Sequence, residues 1–211
     1  MLLKLDLHVH TSHSQDSSTD PKALGQIAKS RGLDGVAVTE HDFFSLIESN
    51  DILIVPGIEV SSNEGHILAL GANDVVPKGL TARDTIELLR RQNCVIVIPH
   101  PYDRSSPGID PLRLGSNIDA IETINSSAIP FGSCKKKAEA AARLLRLPMV
   151  AGSDSHIPST IGDAYTQVEV SSPSIESVLE SIRYGRTTPC GSATSIRNKI
   201  LSYYTGLAKS L

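Results

Sequence analysis

The sequence predicts an α/β fold: a parallel sheet covered by helices, either open or closed into a barrel. Roughly seven strand-like runs fall within 211 residues, which favours a small distorted TIM-like barrel of (β/α)7 type. Two observations carry the prediction. Short apolar runs alternate with amphipathic helical stretches along the chain, with no internal repeat, linker or low-complexity tract. Several of the runs end in histidine or a carboxylate, as expected where the C-terminal ends of barrel strands share one mouth.

The first strand covers residues 2–9, with Leu3, Leu5, Leu7 and Val9 on one face and Asp6, His8 and His10 on the other. A helix follows over "TDPKALGQIAKSRGLD", capped by Thr19 or Asp20, with Pro21 in its first turn and Gly32 at its end. "GVAVTEHD", "DILIVPGIEVSS" and "GHILALGA" are strands, the last two joined by a tight connection. "TARDTIELLRRQN" is an amphipathic helix that buries Ile86, Leu88 and Leu89. "CVIVIPHP" is a buried strand ending at His100, and residues 101–117, rich in Pro, Gly and Ser, form a long loop suited to cover a site. "IDAIETINS" is a strand, "GSCKKKAEAAARLLRL" a helix of good helix formers, and "PMVAGSDSH" a strand ending in polar residues. "TQVEV", "SIESVLESIRYGR" and residues 194–211 supply a last strand and closing helices.

Composition narrows the function. A net charge of −3 lacks the basic excess of a protein held mainly by nucleic-acid phosphates. Cys94, Cys134 and Cys190 stand apart without metal-type pairing, which with no visible leader predicts a reducing, cytoplasmic compartment. No apolar run approaches membrane-spanning length, so no membrane partner is expected.

The histidines carry the chemistry. His8, His10, His41 and His100 stand at or just beyond the ends of apolar strands, and His156 follows another, whereas His66 opens "HILAL". Residues i and i+2 of a strand share a face roughly 7 Å apart, so His8 and His10 can bind one ion, and Asp154 and His156 offer the same geometry. With Asp16, Glu59 and Asp154 added, the mixed nitrogen and oxygen ligands suit zinc, manganese or iron better than magnesium or calcium. Several histidines buried at strand ends without partners would be costly, and a metal supplies those partners together.

The segments "DLHVHTSHSQD", "TEHD", "GIEV" followed by "GHIL", "PHP" and "GSDSH" resemble, in order, the motifs of the PHP (polymerase and histidinol phosphatase) family of metal-dependent phosphoesterases. The resemblance runs from Asp6 to about Gly162. It implies one PHP-like domain over residues 1–211, with metal-site motifs within 6–162 and closing helices over about 174–211. It implies three divalent metals in the barrel mouth. His8, His10, Glu59 and Asp154 would hold the first, together with the hydroxide that attacks the substrate. Glu59 would bridge to the second, completed by His66 and His100, while Asp16, His41 and His156 would hold the third. The second motif, which usually begins with Asp, begins here with Glu40. Asp6 and Glu40 are expected to orient ligand imidazoles through their second nitrogen. His13 matches no ligand position.

Three divalent ions held by three carboxylates leave the mouth positive, which attracts a phosphate dianion and lowers the pKa of bound water. The expected activity is hydrolysis of a small phosphate ester: a nucleotide, a sugar-type phosphate or histidinol phosphate. Nucleic acid enters only as a substrate end. Arg104 is the candidate substrate contact, and Lys135, Lys136 and Lys137 read as a solvated helix face. Two rivals are weighed. An amidohydrolase-type enzyme also starts with His-x-His, yet the lysine typical of its barrel has no counterpart at a strand here. A non-catalytic scaffold binding nucleic acid or a replication partner sits poorly with a full ligand set and an acidic chain.

Overall fold

The computed structural model describes residues 1–209. Its strands are β1 (Leu2–Val9), β2 (Gly35–Val38), β3 (Leu53–Ser62), β4 (Gly65–Leu70), β5 (Val95–Ile98), β6 (Ala120–Asn125), β7 (Met149–Gly152), β8 (Ala164–Glu169) and β9 (Thr187–Gly191). Its helices are α1 (Leu24–Ser30), α2 (Ala82–Arg91), α3 (Phe131–Leu145), α4 (Ile175–Arg183) and α5 (Ile196–Lys209). Among the described residues no helix is long and apolar enough to cross a membrane.

The strands form one sheet in the order β7-β6-β5-β4-β3-β2-β1-β8-β9. It curls into a nearly closed barrel. The free edge of β7 returns to the other end of the sheet, where the Thr166 hydroxyl of β8 accepts from Ala151 N–H at 2.8 Å and donates to Ala151 C=O at 2.9 Å. Beyond β7, a bridge joins Val9 to Ser155. The α/β barrel class predicted from sequence holds, but the sheet is mixed rather than parallel. The β1-β2-β3 and β5-β6-β7 ladders are parallel, while β4, β8 and β9 pair antiparallel.

One apolar cluster takes side chains from every strand between β1 and β8, among them Leu5, Ala37, Val55, Leu68, Val97, Ala120, Val150 and Val168. Only an inward face lets eight strands meet, so this is the barrel lumen. Val178 and Ile182 of α4 join it as a plug. Outside, α2 and α3 cover β3 to β6, and α1 covers β1 and β2. Burying a side chain such as Leu5 stabilises the fold by about 1.5–3 kcal/mol.

Strict alternation along β1 fails, for a reason that matters to function. Leu5 pairs with Gly35 and Asp6 with Val36, but Val9 is next with Val38, so one extra residue bulges out of β1. Leu3, Leu5 and Leu7 therefore pack in the lumen while Val9 packs outside against α1. Leu7 and His8, adjacent in sequence, both turn inward. β6 carries a second irregularity between Glu122 and Ile124, which turns Glu122 and Asn125 to the same side.

Three local expectations change. The first helix spans only Leu24–Ser30, because Asp20 closes a turn instead: its carboxylate accepts from Lys22 N–H at 2.9 Å and its carbonyl from Ala23 N–H at 3.0 Å. In α2, Ile86 and Leu89 are buried and Leu88 only partly so, with Thr81 capping the N-terminus. β9 was not expected, since "TTPCG" lacks an apolar pattern; it pairs along β8 as an edge strand.

Candidate metal centre

The mouth is organised around Glu59 of β3, whose carboxylate is buried. Its cross-strand partner is the lumen residue Leu68, so Glu59 points inward just above the aliphatic layer. Oε1 lies 3.0 Å from His66 Nδ1 and 3.0 Å from His100 Nε2. Oε2 lies 2.9 Å from His41 Nδ1, 3.5 Å from His8 Nε2 and 3.4 Å from His10 Nε2. Asp154 Oδ1 approaches the same two nitrogens, at 3.5 Å from His8 and 3.4 Å from His10. Farther out, Asp16 Oδ2 stands 3.4 Å from His41 Nε2 and 3.2 Å from His156 Nε2. All nine candidate ligands thus come together, from residues as distant in sequence as His8 and His156.

Two candidate ligands sit on backbone that side chains seldom adopt. His100 (φ 32°) and Asp154 (φ 54°) are in the left-handed region, held by hydrogen bonds from His100 N–H to Glu122 Oε2 at 2.8 Å and from Asp154 N–H to His8 C=O at 2.9 Å. Gly152 allows the closest approach. A Cβ there would stand 2.4 Å from His8 Cβ and 2.6 Å from Glu122 Oε1.

The groups that orient the imidazoles differ from expectation. Asp6 contacts no imidazole; it accepts backbone N–H bonds from Ser153 and Gly162, both at 2.8 Å, and so fastens the loops after β7. Glu40 acts one step removed. It accepts from the Thr11 and Ser14 hydroxyls, and Ser14 Oγ lies 3.4 Å from His10 Nδ1. The carboxylate that does reach an imidazole is Glu122, 3.2 Å from His8 Nδ1, with its other oxygen bonded to His100 N–H and to Asn125 Nδ2. Asn125 also donates to Asp154 at 3.3 Å. Glu122 escaped the sequence reading because "IETIN" resembles any core strand; a buried-strand carboxylate was the available signal.

The electrostatics call for positive charge. Burial opposes ionisation of Glu59, yet His8, His41 and His66 hold its carboxyl well below the usual range. Burial likewise disfavours the His41 imidazolium, but Glu59 and Asp16 push its pKa up to about 11. Asp154, Glu122 and Glu59 raise that of His8 against the same burial. Burial, then His41 and His156, pushes His10 down to about 3. Asp6 is raised to about 7 by burial. His8 Nε2 and His10 Nε2 are also buried without a hydrogen-bond partner, and Glu59 Oε2, buried beside them, has only the His41 nitrogen within 3.0 Å. Nitrogen and oxygen donors this crowded and buried fit a bound cation, which would take the place of the protons that the carboxylates hold on His8 and His41. Ligand-atom sets compatible with an ion include His8–His10–Glu59, His41–Glu59–His66, His8–His100–Asp154 and His10–His41–His156.

Other predicted residues lie apart. His13 bonds Ser45 at 2.7 Å and meets the edge of Phe43. Lys135 pairs with Glu139 and Lys137 lies over the Tyr102 ring, both on α3, and Lys136 is exposed. Arg104 is exposed, but its neighbours Ser105 and Ser106 line a cleft of about 430 Å³ beside the centre. Asp16, Asp154 and His156 form one wall of that cleft, and α5 forms another with Lys199, Tyr203 and Leu207. The sequence reading assigned Lys199 no role.

Comparison with known proteins agrees with this picture. The PHP domain family model matches residues 6–105, and a PHP-associated model matches residues 133–187. An uncharacterized protein of Methanocaldococcus jannaschii is 29% identical over 141 residues, covering 59% of this chain and 82% of that one. PsfC from Pseudomonas syringae superposes with a TM-score of 0.75 at 20% identity, over 98% of both chains. A two-domain Bacteroides vulgatus protein containing a predicted PHP-like metal-dependent phosphoesterase gives a TM-score of 0.73 at 20% identity, over 97% of this chain and 69% of the other.

Proposed function

This chain is a PHP-domain protein, and from that premise we propose that it hydrolyses a small phosphate ester with divalent metals held in the barrel mouth. The supporting observation is the convergence of the buried, unpartnered His8 Nε2 and His10 Nε2 on the buried Glu59 Oε2, with Asp154 at 3.4–3.5 Å from both imidazoles. In this reading His8, His10, Glu59 and Asp154 hold one ion. Glu59 with His66 and His100 would hold a second, and Asp16, His41 and His156 would hold a third. Zinc, manganese or iron suits this donor set. When bound, such ions supply charge to clamp phosphate oxygens and an activated water at neutral pH.

The protein's own contribution is orientation and exclusion. Glu122 and Asn125 fix His8 and Asp154 from behind, Ser14 and Glu40 fix His10, and the leucine and valine layer below keeps water from the floor of the site. In this reading the leaving group extends into the cleft between the centre and α5, lined by Ser127, Lys199 and Ser202.

The test strips purified protein with chelator and reloads it with manganese, zinc or iron separately. Each form is then screened against phosphomonoesters, phosphodiesters and amides. Phosphate release that appears only on reloading, with about three ions per chain, is the expected result. Equal turnover by stripped protein, or preferential amide cleavage, would overturn the reading.

A further inference from the structure

We propose that Lys199 of α5 forms an anion subsite in the cleft, taking a second negatively charged group on the part of the substrate that points away from the metals. The proposal rests on the phosphoesterase reading and adds a substrate class to it: phosphate esters whose leaving group carries a carboxylate or a further phosphate.

Lys199 is half-buried and fixed. Its ammonium donates to Ser127 C=O at 2.8 Å and Ala128 C=O at 3.2 Å, two carbonyls on the chain leading into α3. An ammonium has three N–H donors, so one remains for a ligand. No carboxylate among the described residues forms an ion pair with it. Asp103 and Asp154 act on it through space, and Asp103 Oδ1 is already occupied by Ser105 N–H and Oγ–H and by Ile129 N–H. The cation faces the same cleft as Asp154 and His156, so a ligand seated on the metal centre has it within the same enclosure.

The lining around the cation mixes polar and apolar side chains. Ser105, Ser106, Ser127 and Ser202 stand there with Ile129 and Leu207, so a tail of a few methylenes that ends in an anion fits it. Farther along α5, Gly206 runs against Asp16, where an added Cβ would lie 3.6 Å from Asp16 Cβ. The helix therefore spans the mouth from the subsite to the metal side. It lies outside both family-matched segments, 6–105 and 133–187.

Calorimetric titration of the metal-loaded protein tests this without turnover. The probes are ω-carboxyalkylphosphonates with two to six methylenes, each against the alkylphosphonate of equal length. At one length the carboxylate should tighten binding about tenfold, the size of one charge-assisted hydrogen bond. Lys199→Met should abolish that preference at unchanged metal content, and Lys199→Arg should keep most of it. Repeating the series with bisphosphonates tells a carboxylate-bearing tail from a phosphate-bearing one. If phosphonates bind with no preference at any length, or if Lys199→Met keeps the preference, the subsite is wrong and the phosphoesterase reading survives. If Lys199→Met weakens both series equally and lowers the melting temperature, the lysine only ties α5 to the loop before α3. Failure of every phosphonate to bind metal-loaded protein overturns both readings.

Discussion

Below the mouth of the barrel, Leu5, Val55, Leu68 and Val97 meet in the lumen; a few residues along or across the same strands stand His8, Glu59 and His100. The two layers are equally buried and obey opposite rules. In the lower one each side chain is content with whichever apolar neighbours surround it, and its worth is the area it removes from water. In the upper one, charged and polar atoms face one another with hydrogen bonds missing, an arrangement that costs free energy unless a cation is supplied. The strands thus spend stability at one end that they gain at the other.

The sharpest way to break the contrast is Glu59→Gln. Among the described residues no other side chain touches five imidazoles, those of His8, His10, His41, His66 and His100. An amide removes the charge and one acceptor while keeping the shape. Loss of most bound metal and at least about a hundredfold in turnover is expected, since even groups behind a ligand are worth ten- to a hundredfold. Elemental analysis and steady-state rates on the same sample check it, with circular dichroism to show that the strands persist. Full metal content in the variant would refute the hub role of Glu59.

Leu5→Ala probes the lower layer and should do the reverse. Leu5 is fully buried, so the substitution should cost about 2–5 kcal/mol of folding stability through lost transfer energy and a cavity. Metal stoichiometry in the folded fraction should stay as in the parent. Denaturant titration and metal analysis read the two quantities separately. A Leu5→Ala protein that is as stable as the parent but has lost its metal would show that the layers are not independent.

How much of this was legible in the sequence follows the same division. The lower layer and the order of elements could be read because apolar runs have a period, and the cluster of candidate ligands because His and Asp recur at strand ends. Regular period is also where the reading stops. A strand with perfect alternation would send Leu7 and His8 to opposite faces; the bulge in β1 sends both inward, and no residue in "LDLHV" announces it. Glu122 and Asn125, three apart, share a side only because β6 is irregular between them. Lys199 was invisible for a different reason: the docking of α5 beside the mouth is decided by tertiary contacts, not by the helix's own pattern. Local competition misled in the other direction at α1, where "TDP" looked like a cap and formed a separate turn.

Glu122→Gln sharpens the comparison at the seam between layers, with the smallest expected effect of the three. Glu122 Oε1 faces His8 Nδ1 at 3.2 Å while Oε2 accepts from His100 N–H at 2.8 Å and Asn125 Nδ2 at 2.9 Å. A carboxylate can only accept, so it selects the His8 tautomer with the proton on Nδ1 and leaves the Nε2 lone pair free toward Glu59 and Asp154. The glutamine has one oxygen and one NH2 to distribute. The two donors on the His100 and Asn125 side claim the oxygen, which turns the NH2 toward His8 Nδ1. Two donors then face each other, and His8 answers by moving its proton to Nε2, where a metal must bind. Metal affinity should fall by about ten- to a hundredfold, with the fold retained because the side chain keeps its volume. Competition titration against a chelating dye measures the loss. Nitrogen-15 spectra of metal-stripped protein, recorded above the raised pKa of His8 so that the ring is neutral, should show the proton moving from Nδ1 in the parent to Nε2 in the variant. Unchanged affinity together with an unchanged tautomer would show that the seam is held by packing at Gly152 alone, where His8 and Glu122 crowd the same space.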